Sequence, residues 1–181
     1  DALPKDSSFQ FHQDFNELKI ETFAKSPMIN SPVAMDVDYQ GRLWVADDLA
    51  KIDKKTRRGG RIVVLEDTDN DGKADKSTQF GPNFTSMPLG IAVYDNVIVV
   101  SLTPDLIVFT DVNRNGRFEE GIDKKEVLMT GFHGFDHDHS LHAVIGAPNG
   151  QWYLSTGNNG ADIKTTDDKE FHVSSYYSRN P

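Results

Sequence analysis

The sequence predicts an all-β fold, more specifically a partial β-propeller of about three blades, each a four-stranded antiparallel sheet. A strand–turn–strand pattern recurs, with its turns at residues 41, 95 and 149. An acidic loop follows each of the first two patterns, and long amphipathic helices are absent. Repeats of roughly 40–50 residues with four short strands are typical of propellers. A β-sandwich is the alternative, but it does not explain why turn and acidic loop recur together.

Residues 1–32 are predicted to form a polar lead-in with one strand, Leu18 to Phe23, in which apolar and polar residues alternate. The blades are expected at 33–85, 86–135 and 136–181, and the third is incomplete. Propellers close with roughly four to eight blades, and an open arc leaves strand edges unpaired. We therefore expect the remaining blades to lie on a longer polypeptide or on a partner chain.

Within the blades, short apolar runs separated by Gly, Asn and Asp turns predict paired strands. The predicted strands are, in chain order, Val33–Asp38, Arg42–Ala46, Arg61–Leu65, Lys76–Phe80, Gly90–Val93, Val97–Val100, Leu106–Phe109, Glu126–Met129, His142–Ile145 and Gln151–Leu154.

The first acidic loop is the strongest candidate for a metal site. It places carboxylates at alternate positions, and Gly72 provides the sharp turn that directs the Lys73 carbonyl inward. This all-oxygen set suits Ca²⁺. Thr78 stands where an EF-hand has a bidentate Glu, so this is not an EF-hand loop. A polar hairpin turn is the alternative. The predicted ligands are Asp67, Asp69, Asp71, Lys73 and Asp75.

A second loop, 44 residues later, has the same spacing but carries Asn at two of the Asp positions. Its lower charge predicts weaker Ca²⁺ binding, and a solvated turn is the alternative. The predicted ligands are Asp111, Asn113, Asn115, Arg117 and Glu119. A dockerin-like calcium module fits poorly, because no paired helices follow the loops.

Composition limits the function further. The 181 residues carry a net charge of −9 and contain no cysteine. The missing cysteines exclude disulfides, thiolate zinc sites, a cysteine nucleophile and covalent c-type haem in this chain. The acidic balance, without a Lys/Arg cluster, argues against nucleic-acid binding. No transmembrane segment or signal-peptide core is apparent. Loops of this kind need more calcium than a resting cytosol supplies, so we expect a periplasmic or secreted protein.

Four of the six histidines fall between His133 and His142. This stretch is compatible with a transition-metal site, since imidazole and carboxylate suit Zn, Fe, Cu or Ni. It is also compatible with a general base oriented by a carboxylate. A polar loop with surface histidines is the third interpretation.

The ordered motifs from about residue 18 to 165 resemble the membrane-bound dehydrogenase propellers. That family is similar to the sorbosone and soluble glucose dehydrogenases, which use pyrroloquinoline quinone (PQQ). The motifs that carry the resemblance are Asn30 to Asp36, Gly41 to Val45, Arg61 to Asp69 with Asp75-Lys76, Leu89 to Ala92, and Thr130 to Phe132.

The resemblance implies an oxidoreductase in which His139 is the catalytic base. His139 precedes Pro148-Asn149-Gly150, Tyr153 and a Gly157-to-Gly160 segment, close to the family's spacing. It would take the hydroxyl proton of a sugar or alcohol while hydride passes to PQQ. The turn has one inserted residue and Asn in place of Asp, and the family's PQQ-contacting Arg and Lys residues fall in later blades. A haem-binding electron-acceptor module is an implied partner. The alternative is a calcium-stabilised binding or scaffold propeller without catalysis.

Overall fold

The computed structural model describes residues 21–49, 59–134 and 139–175, and these form an all-β structure without helices. The class predicted from the sequence is therefore confirmed. The twelve strands are β1 Pro32–Val37, β2 Leu43–Asp48, β3 Gly60–Glu66, β4 Lys76–Phe84, β5 Gly90–Tyr94, β6 Val97–Leu102, β7 Asp105–Thr110, β8 Lys124–Phe132, β9 Leu141–Gly146, β10 Trp152–Thr156, β11 Ala161–Thr165 and β12 Glu170–Val173.

The strands form three antiparallel sheets. The first has the order β1-β2-β3-β4, which is the four-stranded unit expected for the first blade. The second unit is also contiguous, β5-β6-β7-β8, but the sheet continues through β11 and β12. The third sheet contains only β9 and β10. The last unit is thus divided between two sheets, because β11 pairs with β8 instead of β10.

Two sequence expectations need correction at the ends of the chain. Residues 21–23 have no strand structure, so the described half of the predicted strand Leu18–Phe23 is wrong; residues 18–20 lie outside the described residues. The strands β11 and β12 were not predicted at all. β12 is exposed along its whole length, so its sequence carries no buried apolar face to reveal it.

The three sheets pack face to face through apolar side chains. Trp44, Ile62 and Phe80 of the first sheet meet the β5–β7 face of the second in one core. The opposite face of the second sheet packs on β9 through residues such as Val99, Leu106 and Val144. As a result, the first strands of the three units lie side by side, with β5 in contact with both β1 and β9.

Residues 21–31 cross the outer face of the first sheet. Phe23, Met28 and Ile29 pack there against Val45, Val63 and Leu65. The carbonyl of Phe23 accepts a hydrogen bond from the Ala74 amide, at 2.8 Å. Residues 21–31 are therefore an extended cover on the first sheet, tied at one end to the first acidic loop.

Candidate metal centre

Loop 1, residues 67–75, joins β3 to β4 in a hairpin, as the sequence predicts. One carboxylate oxygen from each of Asp67, Asp69 and Asp71 lies within 4.8 Å of the others. Asp67 is half-buried and the other two are exposed. Three carboxylates at this separation repel one another, and they form an oxygen-lined group that could hold a metal ion.

Backbone amides fix these carboxylates. Asp67 accepts hydrogen bonds from the amides of Asp71, at 3.2 Å, and Gly72, at 2.9 Å. Asp71 in turn accepts one from the Lys73 amide, at 2.8 Å. The turn requires positive φ at Asn70 (62°) and Gly72 (86°), which is why Asn and Gly occupy those positions. The loop is therefore folded around its acidic side chains by its own main chain.

Asp75 closes the base of loop 1. Its Oδ2 accepts hydrogen bonds from the Thr68 amide, at 2.8 Å, and the Thr68 hydroxyl, at 3.0 Å. These bonds, the backbone one foremost, lower the pKa of Asp75 below its ordinary value. The carboxylate is thus ionised at neutral pH. The roles of Asp75 and of the Lys73 carbonyl as ligands stay predictions.

Loop 2, residues 111–123, joins β7 to β8 and repeats the geometry of loop 1. Asp111 accepts hydrogen bonds from the amides of Asn115, at 3.2 Å, and Gly116, at 2.8 Å, and Asn115 accepts one from Arg117, at 2.8 Å. Positive φ recurs at Arg114 (60°) and Gly116 (72°). The nine-residue sequence similarity between the loops therefore reflects a shared backbone conformation.

The centres of the two loops differ. In loop 2 the side-chain Nδ2 atoms of Asn113 and Asn115 each lie 2.6 Å from Oε2 of Glu119. The two side-chain amides thus donate hydrogen bonds to one carboxylate at the centre of loop 2, whereas the centre of loop 1 contains three carboxylates. A cation at loop 2 would have to compete with these internal hydrogen bonds.

Asp123 is a loop 2 carboxylate that sequence reasoning missed. It is buried, and it accepts hydrogen bonds from the amides of Val112, at 2.8 Å, and Glu119, at 2.7 Å. In loop 1, Asp75 likewise accepts a hydrogen bond from the amide of the second loop residue, Thr68. Counting along the loop aligned Glu119 with Asp75, but the structure gives the closing role to Asp123. The sequence signal for this role was its position: Asp123 directly precedes β8, as Asp75 directly precedes β4.

Loop 2 also contacts both of the large sheets. The Phe118 ring packs against Phe80 of the first sheet, with centroids 6.2 Å apart, and against Phe109 of the second, at 5.4 Å. The Arg114 guanidinium forms a two-point ion pair with Asp95 in the β5–β6 turn. Loop 2 therefore packs across the contact between the first and second sheets.

His139 lies just before β9, beside the segment that the sequence placed with it. Its carbonyl accepts a hydrogen bond from the Asn159 amide, at 3.2 Å, and the Gly157 amide bonds to the Ser140 carbonyl, at 2.6 Å. Gly157 is required there, because a Cβ would lie 2.3 Å from the carbonyl carbon of His139. The cleft between the first strands, about 200 Å³, does not include His139 among its lining residues.

These features define an all-β repeat protein with a metal-type acidic loop in one hairpin and a related loop in the next. Residues 4–180 match the family described as a domain of unknown function, DUF7133, so the chain belongs to that family. No curated protein matches the chain. In the part of the chain that the structure describes, no helix has the length and apolar character needed to cross a membrane.

Proposed function

We propose that this chain is the calcium-stabilised part of an extracytoplasmic β-propeller. The observation that carries the proposal is the Asp67–Asp69–Asp71 group in loop 1. A loop with this many oxygen ligands favours Ca²⁺, which accepts six to eight oxygens, over Mg²⁺, which requires near-ideal octahedral geometry. Periplasmic or secreted proteins meet calcium at concentrations that suit such a loop.

The stacking of the units supports the propeller. The first strands of the three units lie next to one another, and Asp36 of β1 accepts a hydrogen bond from the Val93 amide of β5, at 2.7 Å. In a propeller, these strands would surround the axis and the acidic hairpins would lie at the periphery. The hairpins are then suited to holding the blades rather than to chemistry. The remaining blades are the proposed partners.

Loop 1 is proposed as the tighter site and loop 2 as the weaker one, since loop 2 has fewer carboxylates and its Glu119 already bonds to two amides. The test is Asp69→Asn. Asn retains an oxygen for the 3.2 Å hydrogen bond from the Asp71 amide but removes the charge, and it is the residue that loop 2 has at this position.

Calcium titration calorimetry and thermal unfolding would be measured for the wild type, Asp69→Asn, and the control Asp167→Asn in the exposed β11–β12 turn. Asp69→Asn should bind calcium more weakly and melt lower in calcium, yet melt like the wild type in a chelator, because ligand-linked stability scales as RT ln(1 + [L]/Kd). Equal losses in calcium and in chelator would contradict the proposal. So would a wild-type chain that binds no calcium.

A second candidate is a PQQ-type sugar or alcohol dehydrogenase with His139 as the base. It is favoured by the contact of His139 with the segment Gly157 to Asn159. PQQ is a tricarboxylate and needs several cationic partners. Three of the four arginines in the described residues are paired with Asp38, Asp47 and Asp95. These three arginines therefore do not supply the cationic partners that PQQ needs, and we derive no step through the cofactor.

Dye-linked sugar oxidation by the full-length protein, loaded with PQQ, distinguishes the two candidates. The dehydrogenase candidate expects turnover in the wild type and none in His139→Ala, with calcium binding intact in both. Turnover that survives His139→Ala would remove His139 from the reaction. Calcium binding without any turnover would leave the scaffold function.

A further inference from the structure

A second group of metal-ligating side chains lies away from the loops, at the β12 end of the six-stranded sheet. His133 directly follows β8, Asp162 is in β11 and His172 is in β12. His133 Nε2 lies 3.0 Å from Oδ2 of Asp162, and His172 Nδ1 lies 2.7 Å from Oδ1 of the same carboxylate. We propose that His133, Asp162 and His172 bind a transition-metal ion such as Zn²⁺.

The donor set has the chemistry for such an ion. Two imidazole nitrogens and one carboxylate are borderline ligands that suit Zn²⁺ and its neighbours, in contrast to the oxygen-only loop 1. With Zn–N and Zn–O bonds of about 2.0–2.2 Å, adjacent ligand atoms on a tetrahedral ion stand about 3.3–3.6 Å apart. The two imidazole–carboxylate pairs, at 3.0 and 2.7 Å, are hydrogen-bonded now and would each separate slightly to admit the ion. The ion would take the ring nitrogens that now face Asp162, and each neutral ring would carry its proton on the distal nitrogen.

The main chain holds the three residues in neighbouring positions. Asp162 and His172 are directly opposite each other in the β11–β12 pair. On the other side, the His133 amide donates to the Gly160 carbonyl, at 3.1 Å. Gly131 allows β8 to approach β11 closely, since a Cβ there would lie 1.9 Å from the Asp162 carbonyl oxygen. The backbone thus fixes the relative positions of the three residues without help from a metal.

The side chains, by contrast, are free to adjust. Their exposed fractions are 46% for His133, 66% for Asp162 and 68% for His172. Among the described residues, only the loop 1 group has three donor atoms mutually within 4.8 Å. Closing the new site therefore requires the two exposed rings to rotate toward one side of Asp162.

Two further features, one contact and one cleft, favour metal binding at this site. The Ser174 hydroxyl lies 3.5 Å from Nε2 of His172, the ring nitrogen that does not face Asp162. Such a partner on the distal nitrogen orients a metal-bound imidazole. An open cleft of about 410 Å³, lined in part by Asp162 and His172, leaves room for water or a small ligand on the remaining coordination positions.

This site does not depend on the calcium proposal, because it shares no residue with either loop.

The test is calorimetric titration with ZnCl₂ in a buffer that contains calcium, supported by the visible absorption of bound Co²⁺. The wild type should bind one Zn²⁺ at this site. His172→Gln and Asp162→Asn should each lower the affinity by roughly tenfold or more, since even loss of a partner outside the ligand shell costs about that much. His142→Gln, in β9, is the matched control and should leave binding unchanged.

The rival site is the histidine stretch around residues 136–139, and it is tested with the double variant His137→Gln/His139→Gln. Zinc binding that is lost in this double variant but retained in His172→Gln and Asp162→Asn would overturn the proposal. A wild-type chain that binds no zinc would overturn it as well. The melting temperatures of all variants in a chelator should match the wild type, which shows that the exposed substitutions leave the fold intact.

Discussion

Asp47 anchors the lead-in to the first sheet, and its loss should be among the most damaging single changes in the chain. Its side chain is fully buried. Oδ1 accepts hydrogen bonds from the amides of Asn30, at 2.9 Å, and Ser31, at 2.7 Å, while Oδ2 accepts one from Nε of Arg61, at 2.9 Å. The change Asp47→Ala leaves all three donors without this acceptor.

Hydrogen bonds to a charged group each contribute about 1.5–3 kcal/mol, and breaking a buried ion pair by removing one partner costs roughly 3–5 kcal/mol. Arg61 keeps a 21% exposed side chain and can recover water. We therefore expect Asp47→Ala to lower the free energy of unfolding by about 3–5 kcal/mol. Asp47→Asn keeps an oxygen for the two amides and loses the ionic bond to Arg61, so it should cost about 1.5–3 kcal/mol.

Urea unfolding followed by circular dichroism measures both losses, and hydrogen exchange at the Asn30 and Ser31 amides reports whether the anchor has opened. The two amides should exchange faster in Asp47→Ala than in Asp47→Asn. Losses below about 1 kcal/mol in both variants, or unchanged exchange at the two amides, would refute the reasoning. Asp167→Ala, in an exposed turn, is the control.

Three further predictions concern packing, acid stability and calcium. Gly90→Ala should destabilise by several kcal/mol in urea unfolding, because its Cβ would lie 2.2 Å from a backbone oxygen of β9; Gly150→Ala meets no atom within 4 Å and should cost only about 1 kcal/mol for its positive φ. Burial raises the pKa of Asp38, but hydrogen bonds from an indole and a guanidinium lower it overall, below 3.8. Its stabilisation is therefore present above that pH and lost as pH falls through the folded pKa, so Asp38→Asn should lower the melting temperature at pH 7 more than at pH 2.5. Asn113→Asp should raise the calcium affinity of loop 2, and an unchanged calorimetric affinity would contradict the role of charge there.

The buried strands could be predicted from the sequence because short apolar runs between Gly, Asn and Asp turns mark buried strands directly. The predicted strands Arg61–Leu65, Val97–Val100 and Leu106–Phe109 lie within β3, β6 and β7, and the predicted Arg42–Ala46 begins one residue before β2. β12 could not be found this way, since no face of it is buried. The pairing of β11 with β8 was also inaccessible, because two strands separated by about thirty residues carry no local mark of their partnership.

The candidate sites show the same division. Alternating carboxylates made loop 1 visible, because its ligand geometry is local to nine residues. Asp123 was missed because it corresponds to Asp75 by its place directly before the next strand, whereas counting from the start of the loop pairs Asp75 with Glu119. The triad of His133, Asp162 and His172 depends wholly on which strands lie next to each other, so only the structure could reveal it.

The cover formed by residues 21–31 makes the array of sheets directional. The outer face of the first sheet is covered, since Phe23, Met28 and Ile29 pack on it. At the other end, the cross-strand neighbours Ile145 and Tyr153 are both exposed, at 60% and 58%. In the proposed propeller, further units would pack on the β9–β10 end, and the unit that closes the ring would compete with residues 21–31 for the outer face of the first sheet.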